Sequence, residues 1–297
     1  MQLIEISPSL LLLISSFLSI AQRSLGLTTT FSDLVKPQIM RPERRVAIVT
    51  GSNKGIGYYT ALRLASSGLF SDIVMACRDE VRGRVAVENV IRQLDRKRIS
   101  SCRVTYMPLL VGDAESHREF RDMLQEKFDG TINVLVNNAA IAFKARDPTP
   151  FIEQAKPTLD VNFRGTVDLT QQLLPLLRRG KDSRIVNMAS MVGKLSQIRS
   201  DELRNQFNAP DITMEKLHSL VDQFQSDVQN GIHLQKGWGN SNYGFSKLAL
   251  VAATKIWARD QAIHGVKVNC CCPGYFEKAT VSYYTAFSAF RYSQPRQ

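Results

Sequence analysis

The chain has few of the residues that metal sites and disulfide frameworks need. Its 297 residues include five cysteines and four histidines. No Cys-x-x-Cys pair occurs, and the histidines stand far apart without the spacing of metal ligands. Cys270, Cys271 and Cys272 are consecutive within an apolar run, so their side chains cannot all point to one face of a strand. The sequence therefore predicts reduced, buried thiols and no metal site.

Long tracts of one charge are also missing. The 38 Lys and Arg residues exceed the 27 Asp and Glu residues, which gives a formal net charge of +11. Such an excess favours an anionic partner, which could be nucleic acid, an acidic membrane or a phosphate-bearing cofactor. The basic residues form only short clusters, which favours a solvated surface over a nucleic-acid-binding tract. With 44% hydrophobic and 22% charged residues, the composition is that of a globular enzyme and excludes disorder, collagen and a polytopic membrane protein.

Residues 1–44 differ in composition from the rest of the chain. Positions 6–22 carry no charge, and an apolar run ends near Ser19-Ile-Ala21, a small-x-small pattern typical of signal cleavage. However, Glu5 is the only charged residue before Arg23, and the run is shorter than the roughly 20 residues of a membrane span. Residues 1–44 thus fit a signal or organelle-targeting segment as well as a disordered or surface-packed extension, and a stable membrane span is favoured least. The protein would be organellar or secretory in the first case and cytoplasmic in the second.

From residue 45 onward, short β-branched runs alternate with longer stretches of helical periodicity. We predict strands at 46–50, 73–77, 104–109, 134–136, 185–188 and 266–272. We predict helices at 56–67, 80–94, 115–128, 159–177 and 243–264. This order is typical of an α/β fold with a Rossmann-type, doubly wound parallel sheet between helices. The polar stretch 194–239 breaks the alternation and is predicted to be a helical insertion.

A glycine-rich turn follows the first predicted strand. Residues Gly51-Ser-Asn-Lys-Gly55-Ile-Gly57 lead directly into a predicted helix. Glycine permits a tight turn and close backbone approach, and a helix N-terminus offers unpaired N–H groups to a pyrophosphate. A plain tight turn is the alternative, but the strand-turn-helix context favours a dinucleotide. No Gly-Lys-Ser/Thr follows, which excludes a Walker A loop.

Basic residues follow the second predicted strand, where the adenosine ribose of a dinucleotide is expected. Arg78 directly follows that strand and Arg82 lies one helical turn beyond, while Lys54 in the glycine turn adds a further cation. Arginine at this place suits a 2′-phosphate, so NADP(H) is predicted over NAD(H). The alternative is that both arginines only pair with Asp79 or Glu80 on the surface.

Tyr243 and Lys247 are four residues apart at the start of the last predicted helix, on one helical face. A phenol beside a fixed ammonium has a lowered pKa and can act as a proton donor. Alone, this spacing is more often a surface pair.

The motifs together resemble the short-chain dehydrogenase/reductase family. The resemblance is carried by Thr50 to Gly57, Asn137-Asn138-Ala139, Asn162, Ser190 and Tyr243-x-x-x-Lys247, in that order, and spans roughly residues 45–274. Further segments look like the monomeric NADPH-dependent carbonyl reductases, namely Asn137-Asn-Ala-Ala-Ile-Ala-Phe-Lys144, Asp147-Pro-Thr-Pro-Phe151 and the insertion. The resemblance implies one NADP(H)-binding catalytic domain over 45–274.

The resemblance also implies roles for single residues. Tyr243 would protonate a ketone, aldehyde or quinone oxygen that Ser190 holds, while Lys247 would bind the nicotinamide ribose and lower the pKa of Tyr243. Asn162 would hold a water of a proton relay. The implied cofactor contacts are Gly51, Asn53, Lys54, Gly55, Ile56, Gly57, Arg78, Arg82, Asn138, Tyr243, Lys247, Pro273 and Gly274. The implied substrate contacts are Phe143, Lys144, Ser190 and Tyr275.

Three departures from the family pattern stand out. Leu110-Val111 replaces an aspartate expected to contact adenine, and Ala140 replaces a glycine. After Gly274, residues 275–297 form an atypical tail, in which Lys278 stands at an expected threonine and no equivalent of the last helix and strand is recognisable. We expect the sixth strand to be an open edge or to be covered by that tail.

Two functions therefore stay open at this point. One is an NADPH-dependent reductase of a small carbonyl substrate; the other is a catalytically impaired NADP(H)-binding relative that acts through partners. Nucleic-acid binding is favoured least, and we expect a monomer or a weak oligomer.

Overall fold

A computed structural model describes residues 44–99, 102–144 and 146–274. The predictions for the N-terminal extension, for Tyr275 and for the tail fall outside these residues. The described chain forms a six-stranded, fully parallel sheet in the order β3-β2-β1-β4-β5-β6. The strands are β1 (Val46–Thr50), β2 (Asp72–Cys77), β3 (Arg103–Pro108), β4 (Val134–Asn137), β5 (Arg184–Met188) and β6 (Lys267–Cys271).

Helices connect the strands. They are α1 (Gly55–Ala65), α2 (Glu80–Arg96), α3 (Ala114–Lys127), α4 (Phe151–Leu159), α5 (Thr166–Arg179), α6 (Asp201–Asn208), α7 (Met214–Gln229) and α8 (Asn242–Asp260). A π-helical turn, Asp160–Gly165, joins α4 to α5, and short 3-10 turns lie at Met191–Gly193, Leu195–Gln197 and Ala262–His264. The predicted α/β fold with a doubly wound parallel sheet is confirmed, and no predicted strand end differs from the observed one by more than one residue.

The sheet is buried on both faces, which explains its β-branched, nearly continuous apolar strands. Every residue of β1 and β2 is buried. Successive β1 side chains enter different cores: Val46 and Ile48 belong to one, Ala47 and Val49 to the other. The strand order reverses between β1 and β4, and at such a switch point the carboxyl ends of the strands border a crevice that binds ligands.

The predicted helix at 159–177 is wrong at its start. The helical segment begins at Phe151, passes through the π-helical turn and ends at Arg179. Pro157 and polar neighbours interrupt the apolar periodicity of α4, so its pattern was not recognisable as helical. Tertiary packing supplies what the local pattern lacks, because Ala155, Thr158 and Leu159 are buried.

The predicted helical insertion is present as a 3-10 turn followed by α6 and α7. It is anchored to α8 by an aromatic cluster: Phe224 stacks on Phe245 with ring centroids 3.8 Å apart, and Trp238 meets Phe245 edge-on at 5.4 Å. The indole of Trp238 donates a hydrogen bond to Asp227 at 2.7 Å. The insertion thereby supports the helix that carries Tyr243 and Lys247.

Within the described chain, β6 pairs only with β5 and lies at one edge of the sheet. The prediction of buried cysteines needs correction here, because Cys270, Cys271 and Cys272 are half-buried free thiols. A strand at a sheet edge has a neighbour on one side only, which leaves its side chains more accessible than those of central strands. Cys77 and Cys102 are free and buried, as predicted.

None of the helices in the described ranges combines the length and apolar character that crossing a bilayer would require.

Candidate active site

The glycine turn after β1 has the tight backbone geometry that its glycine-rich sequence predicts. Gly51 has φ +63°, in the left-handed region, and a Cβ there would lie 2.8 Å from the Cα of Ala139. A Cβ at Gly57 would lie 2.4 Å from the Asn138 amide nitrogen. Larger residues at either position would force the turn and the segment after β4 apart. Helix α1 begins at Gly55 with no side-chain cap, so its N-terminal N–H groups are available to an anion.

Asn138 braces this turn from the neighbouring strand. Its side-chain amide donates hydrogen bonds to the carbonyls of Thr50 at 2.8 Å and Gly51 at 3.2 Å. The backbone N–H groups of Asn138 and Ala139 donate to the Thr50 hydroxyl at 3.0 and 2.9 Å. The residue expected to contact the cofactor therefore also holds the turn in shape.

A cleft of about 950 Å³ opens at the carboxyl ends of β1, β2 and β4. Its lining includes these residues predicted for the cofactor: Gly51, Asn53, Lys54, Gly55, Ile56, Arg78, Arg82 and Asn138. The volume, the glycine turn and the uncapped helix end fit a dinucleotide.

The alternative interpretation, that Arg78 and Arg82 only form surface ion pairs, applies to Arg82 but not to Arg78. Arg82 pairs with Asp79, with Nε 3.3 Å from the carboxylate, on an exposed surface where such a pair contributes little stability. Arg78 is exposed, lines the cleft and has no ion-pair partner within the described ranges. Together with exposed Lys54, it gives this end of the cleft positive charge.

Ser190, Tyr243 and Lys247 converge where β5 ends and α8 begins. Ser190 begins the 3-10 turn after β5, and its hydroxyl accepts a hydrogen bond from the Val192 N–H at 3.4 Å. The Ser190 hydroxyl also interacts with the Tyr243 phenol and acts to lower its pKa. The Lys247 ammonium lies 5.7 Å from the centroid of the Tyr243 ring and donates a 2.7 Å hydrogen bond to the Met188 carbonyl.

Burial dominates the protonation of both residues of the Tyr-x-x-x-Lys motif. Lys247 is 3% exposed, and its desolvation lowers its pKa to about 8. Burial also raises the pKa of Tyr243. Hydrogen bonding with Ser190 acts to lower this pKa, but the effect of burial is larger. The expected lowering of the Tyr243 pKa by Lys247 is therefore not what this structure shows: desolvation outweighs the stabilising hydrogen bond, and the phenol is held protonated.

Asn162 lies in the π-helical turn and is fully buried. Its side-chain oxygen accepts from the Ile141 N–H at 2.8 Å, and its amide donates to the Ile141 carbonyl at 2.8 Å and to Ser246 at 3.1 Å. Asn162 thus ties the segment after β4 to α8. Its role in a proton relay stays a prediction.

A smaller cavity of about 240 Å³ adjoins Tyr243. Phe143 and Lys144, both predicted for the substrate, line it together with Tyr243. Residues 138–142 line the cleft and residues 143–144 line the smaller cavity, so one continuous segment borders both. Pro273 and Gly274 follow β6 and do not line either cavity, and their predicted contacts remain untested.

The departures from the family pattern have clear positions. Leu110 and Val111 line the cleft with apolar surface where a carboxylate was expected, and Ala140 lines it too. Two residues of the smaller cavity, Asp147 and Phe151, belong to the segment that carries the resemblance but were given no role at the site. Other lining residues belong to no recognisable motif: Tyr59 and Val161 in the cleft, and Gln154, Thr158, Asn240, Ser241 and Asn242 in the smaller cavity.

Known proteins match this architecture and most of the chain. A family model described as short chain dehydrogenase matches residues 45–200 and 228–287, and the gap between these ranges falls in the insertion. Carbonyl reductase (NADPH) 1 of Oryctolagus cuniculus is 40% identical over 242 residues, covering 80% of this chain and 83% of the relative. The protein of the same name from Rattus norvegicus is 39% identical over 241 residues, with coverage of 80% and 83%.

Solved structures agree with these relatives. Menthone neomenthol reductase from Mentha piperita is 30% identical with a TM-score of 0.69, covering 78% of this chain and 90% of that one. Salutaridine reductase from Papaver somniferum is 28% identical with a TM-score of 0.68, covering 78% and 86%. The chain therefore belongs to the short-chain dehydrogenase/reductase family of oxidoreductases, within which it resembles the carbonyl reductases.

Proposed function

We propose that the chain reduces the carbonyl group of ketones, aldehydes or quinones with NADPH, and that Tyr243 is the proton donor. The observation that carries this proposal is the convergence of Ser190 and Lys247 on Tyr243, which lines the smaller cavity. The relatives' names specify carbonyl reduction with NADPH, and Arg78 and Lys54 give the cleft the charge that a 2′-phosphate requires.

The cofactor fits the residues present. Gly51, Gly57 and the N-terminus of α1 would accommodate the pyrophosphate, and Arg78 with Lys54 would bind the 2′-phosphate. When bound, NADPH supplies the hydride that the substrate's carbonyl carbon receives.

The protein's own groups handle the oxygen and the proton. Tyr243 donates its phenolic proton to the carbonyl oxygen, which completes the alcohol, and recovers a proton from solvent afterwards. Its raised pKa keeps the proton available at neutral pH. Ser190 donates a hydrogen bond to the same oxygen and stabilises the negative charge that develops there. Lys247 is held by Met188 at a fixed place beneath the Tyr243 ring.

Changing Tyr243 to Phe tests the proposal, because it removes the phenolic oxygen and leaves the ring. We expect NADPH oxidation with an aromatic ketone or quinone to fall by about a hundredfold or more, the range for loss of a general acid. NADPH binding, followed by its fluorescence, should persist.

Tyr58→Phe is the matched control. Tyr58 accepts a hydrogen bond from Gln93 at 2.7 Å and lines neither cavity, so its loss should leave turnover unchanged. Full activity of Tyr243→Phe would refute the assignment of the proton donor. A wild-type protein that binds NADPH but reduces no carbonyl compound would favour the non-catalytic alternative.

A further inference from the structure

Gln197 joins two segments that carry the proposed active-site hydroxyls. It ends the 3-10 turn Leu195–Gln197 at the start of the insertion. Its side-chain amide nitrogen lies 3.0 Å from the Val192 carbonyl, 3.2 Å from that of Lys194 and 3.1 Å from that of Gly244. One amide group therefore donates to carbonyls on both sides of the site.

The carbonyls of Val192 and Gly244 lie close in sequence to the two hydroxyl-bearing residues. Val192 is two residues after Ser190, in the turn that Ser190 begins, and Gly244 directly follows Tyr243 in the first turn of α8. Ser190 and Tyr243 come from elements far apart in the chain. Gln197 holds those elements together through backbone atoms next to each hydroxyl-bearing residue.

The packing around Gln197 is close. A Cβ at Gly244 would lie 2.9 Å from the Gln197 side-chain oxygen, and one at Gly239 would lie 3.3 Å from the same oxygen. That oxygen is buried and has no hydrogen-bond partner within the described ranges. A buried acceptor without a partner costs stability, and an apolar side chain of similar size would avoid that cost. What the amide contributes at this position is its donor group.

We propose that Gln197 is a positioning residue that fixes the spacing between the Ser190 and Tyr243 hydroxyls, an inference that rests on the proposed reductase function. Both hydroxyls must reach one carbonyl oxygen, and small displacements of reacting groups reduce rates strongly. The hydrogen bonds of the Gln197 amide go to backbone carbonyls and to neither hydroxyl, so Gln197 would act through the backbone of its neighbours.

The test replaces Gln197 with Met, which keeps the length and flexibility of the side chain and removes the donor. We expect kcat to fall on the order of tenfold to a hundredfold. The KM and dissociation constant of NADPH should not change, because the cleft is not lined by Gln197. The high-pH limb of the kcat/KM profile should move upward, since the Ser190 hydrogen bond that lowers the Tyr243 pKa is weakened.

Gln235→Met is the matched control, because Gln235 is exposed in the same insertion. Gln197→Leu serves as a second variant if the methionine variant does not fold. Unchanged kcat and an unchanged pH profile in a folded Gln197 variant would overturn the inference, as would a loss confined to NADPH affinity.

Hydrogen exchange separates failure of this inference from failure of the proposed function. Without the Gln197 donor, we expect faster amide exchange in 190–197 and 241–247 and unchanged exchange in β1 to β3. This readout needs no turnover. A wild type without reductase activity would refute the proposed function, whereas unchanged exchange in the variant would refute the role of Gln197 even in an active enzyme.

Discussion

Lys247 is buried, so its charged ammonium form is destabilised by the loss of water around it. It is 3% exposed, and burial lowers its pKa to about 8. The unfolded chain would keep the ordinary lysine pKa of 10.5. Between these two pKa values the unfolded state binds a proton that folded Lys247 has released, so the free energy of unfolding rises with pH there.

We predict that this rise is lost in Lys247→Met. Between about pH 7.5 and 9.5 the free energy of unfolding of the cofactor-free wild type, relative to the variant, should increase by on the order of 1–2 kcal/mol. The upper limit of pH avoids titration of Tyr243, whose raised pKa has the opposite effect on stability. Denaturant melts of both proteins at each pH measure the difference. A difference that is flat with pH would show that Lys247 titrates normally in the folded state.

Individual site residues were predictable to the extent that their chemistry follows from their type. The glycines of the turn and the cations Lys54 and Arg78 lie where the pattern indicated. The protonation of Tyr243 did not follow, because it depends on desolvation by side chains from several elements. Gln197 was invisible for a similar reason, since its partners Val192 and Gly244 meet it only in the folded chain.

Among the elements, the π-helical turn Asp160–Gly165 places a glycine against backbone. A Cβ at Gly165 would lie 2.4 Å from the backbone nitrogen of Gly112, in the loop that continues from cleft residue Val111. The same turn carries Asn162, whose amide binds Ile141 and Ser246. It therefore fixes two walls of the site at once.

We predict that Gly165→Ala destabilises the fold by about 1–3 kcal/mol, as overpacking typically does. Gly83→Ala in α2 is the comparison: a Cβ there would lie 2.4 Å from the partly exposed ring of Tyr106 and 2.9 Å from the Cys77 sulfur, but both are side-chain atoms, which shift more readily than the backbone at Gly112. Its gain in helix propensity, about 1 kcal/mol, should offset the remaining strain. Thermal melts of the two variants give the comparison, and equal stabilities would contradict the rigid contact at Gly112.

Elements were predictable where periodicity was uninterrupted. Buried parallel strands are recognisable from their β-branched runs, and α7 is recognisable from its regular spacing of apolar residues. Helix α4 and the π-helical turn were not predictable from local sequence. Pro157 interrupts the helical pattern of α4, which is held by the burial of its neighbours, and Asn162 in the turn is held by hydrogen bonds to Ile141, which is distant in sequence.

At the scale of the whole molecule, part of the positive charge behind the net charge of +11 lies at the cleft, where Arg78 and Lys54 are exposed. We predict that NADPH raises the melting temperature more than NADH does, because the exposed Arg78 at the cleft would bind the 2′-phosphate that NADH lacks. Arg78→Ala should weaken NADPH binding by about tenfold or more and leave NADH binding nearly unchanged. Arg63→Ala removes the same charge from α1 outside the cleft and should change neither. Equal losses for both cofactors in Arg78→Ala would refute phosphate recognition.

The topology of the molecule was predictable, because alternating strands and helices of these lengths allow few other arrangements. The division into an extension, a domain over 45–274 and a tail stays a prediction, as do the roles of Tyr275 and the expected loss of the final strand.

The burial of Lys247 also determines which lysines an amine-reactive reagent can reach in the folded protein. An acylating reagent reaches exposed Lys54 at the mouth of the cleft, whereas Lys247 beneath Tyr243 is shielded as long as the chain is folded. If NADPH binds Lys54 as proposed, covalent labelling of Lys54 should fall when the cofactor is present, while the amine beneath the phenol stays unlabelled. Labelling of Lys247, in turn, would mark the opening of α8 away from β5.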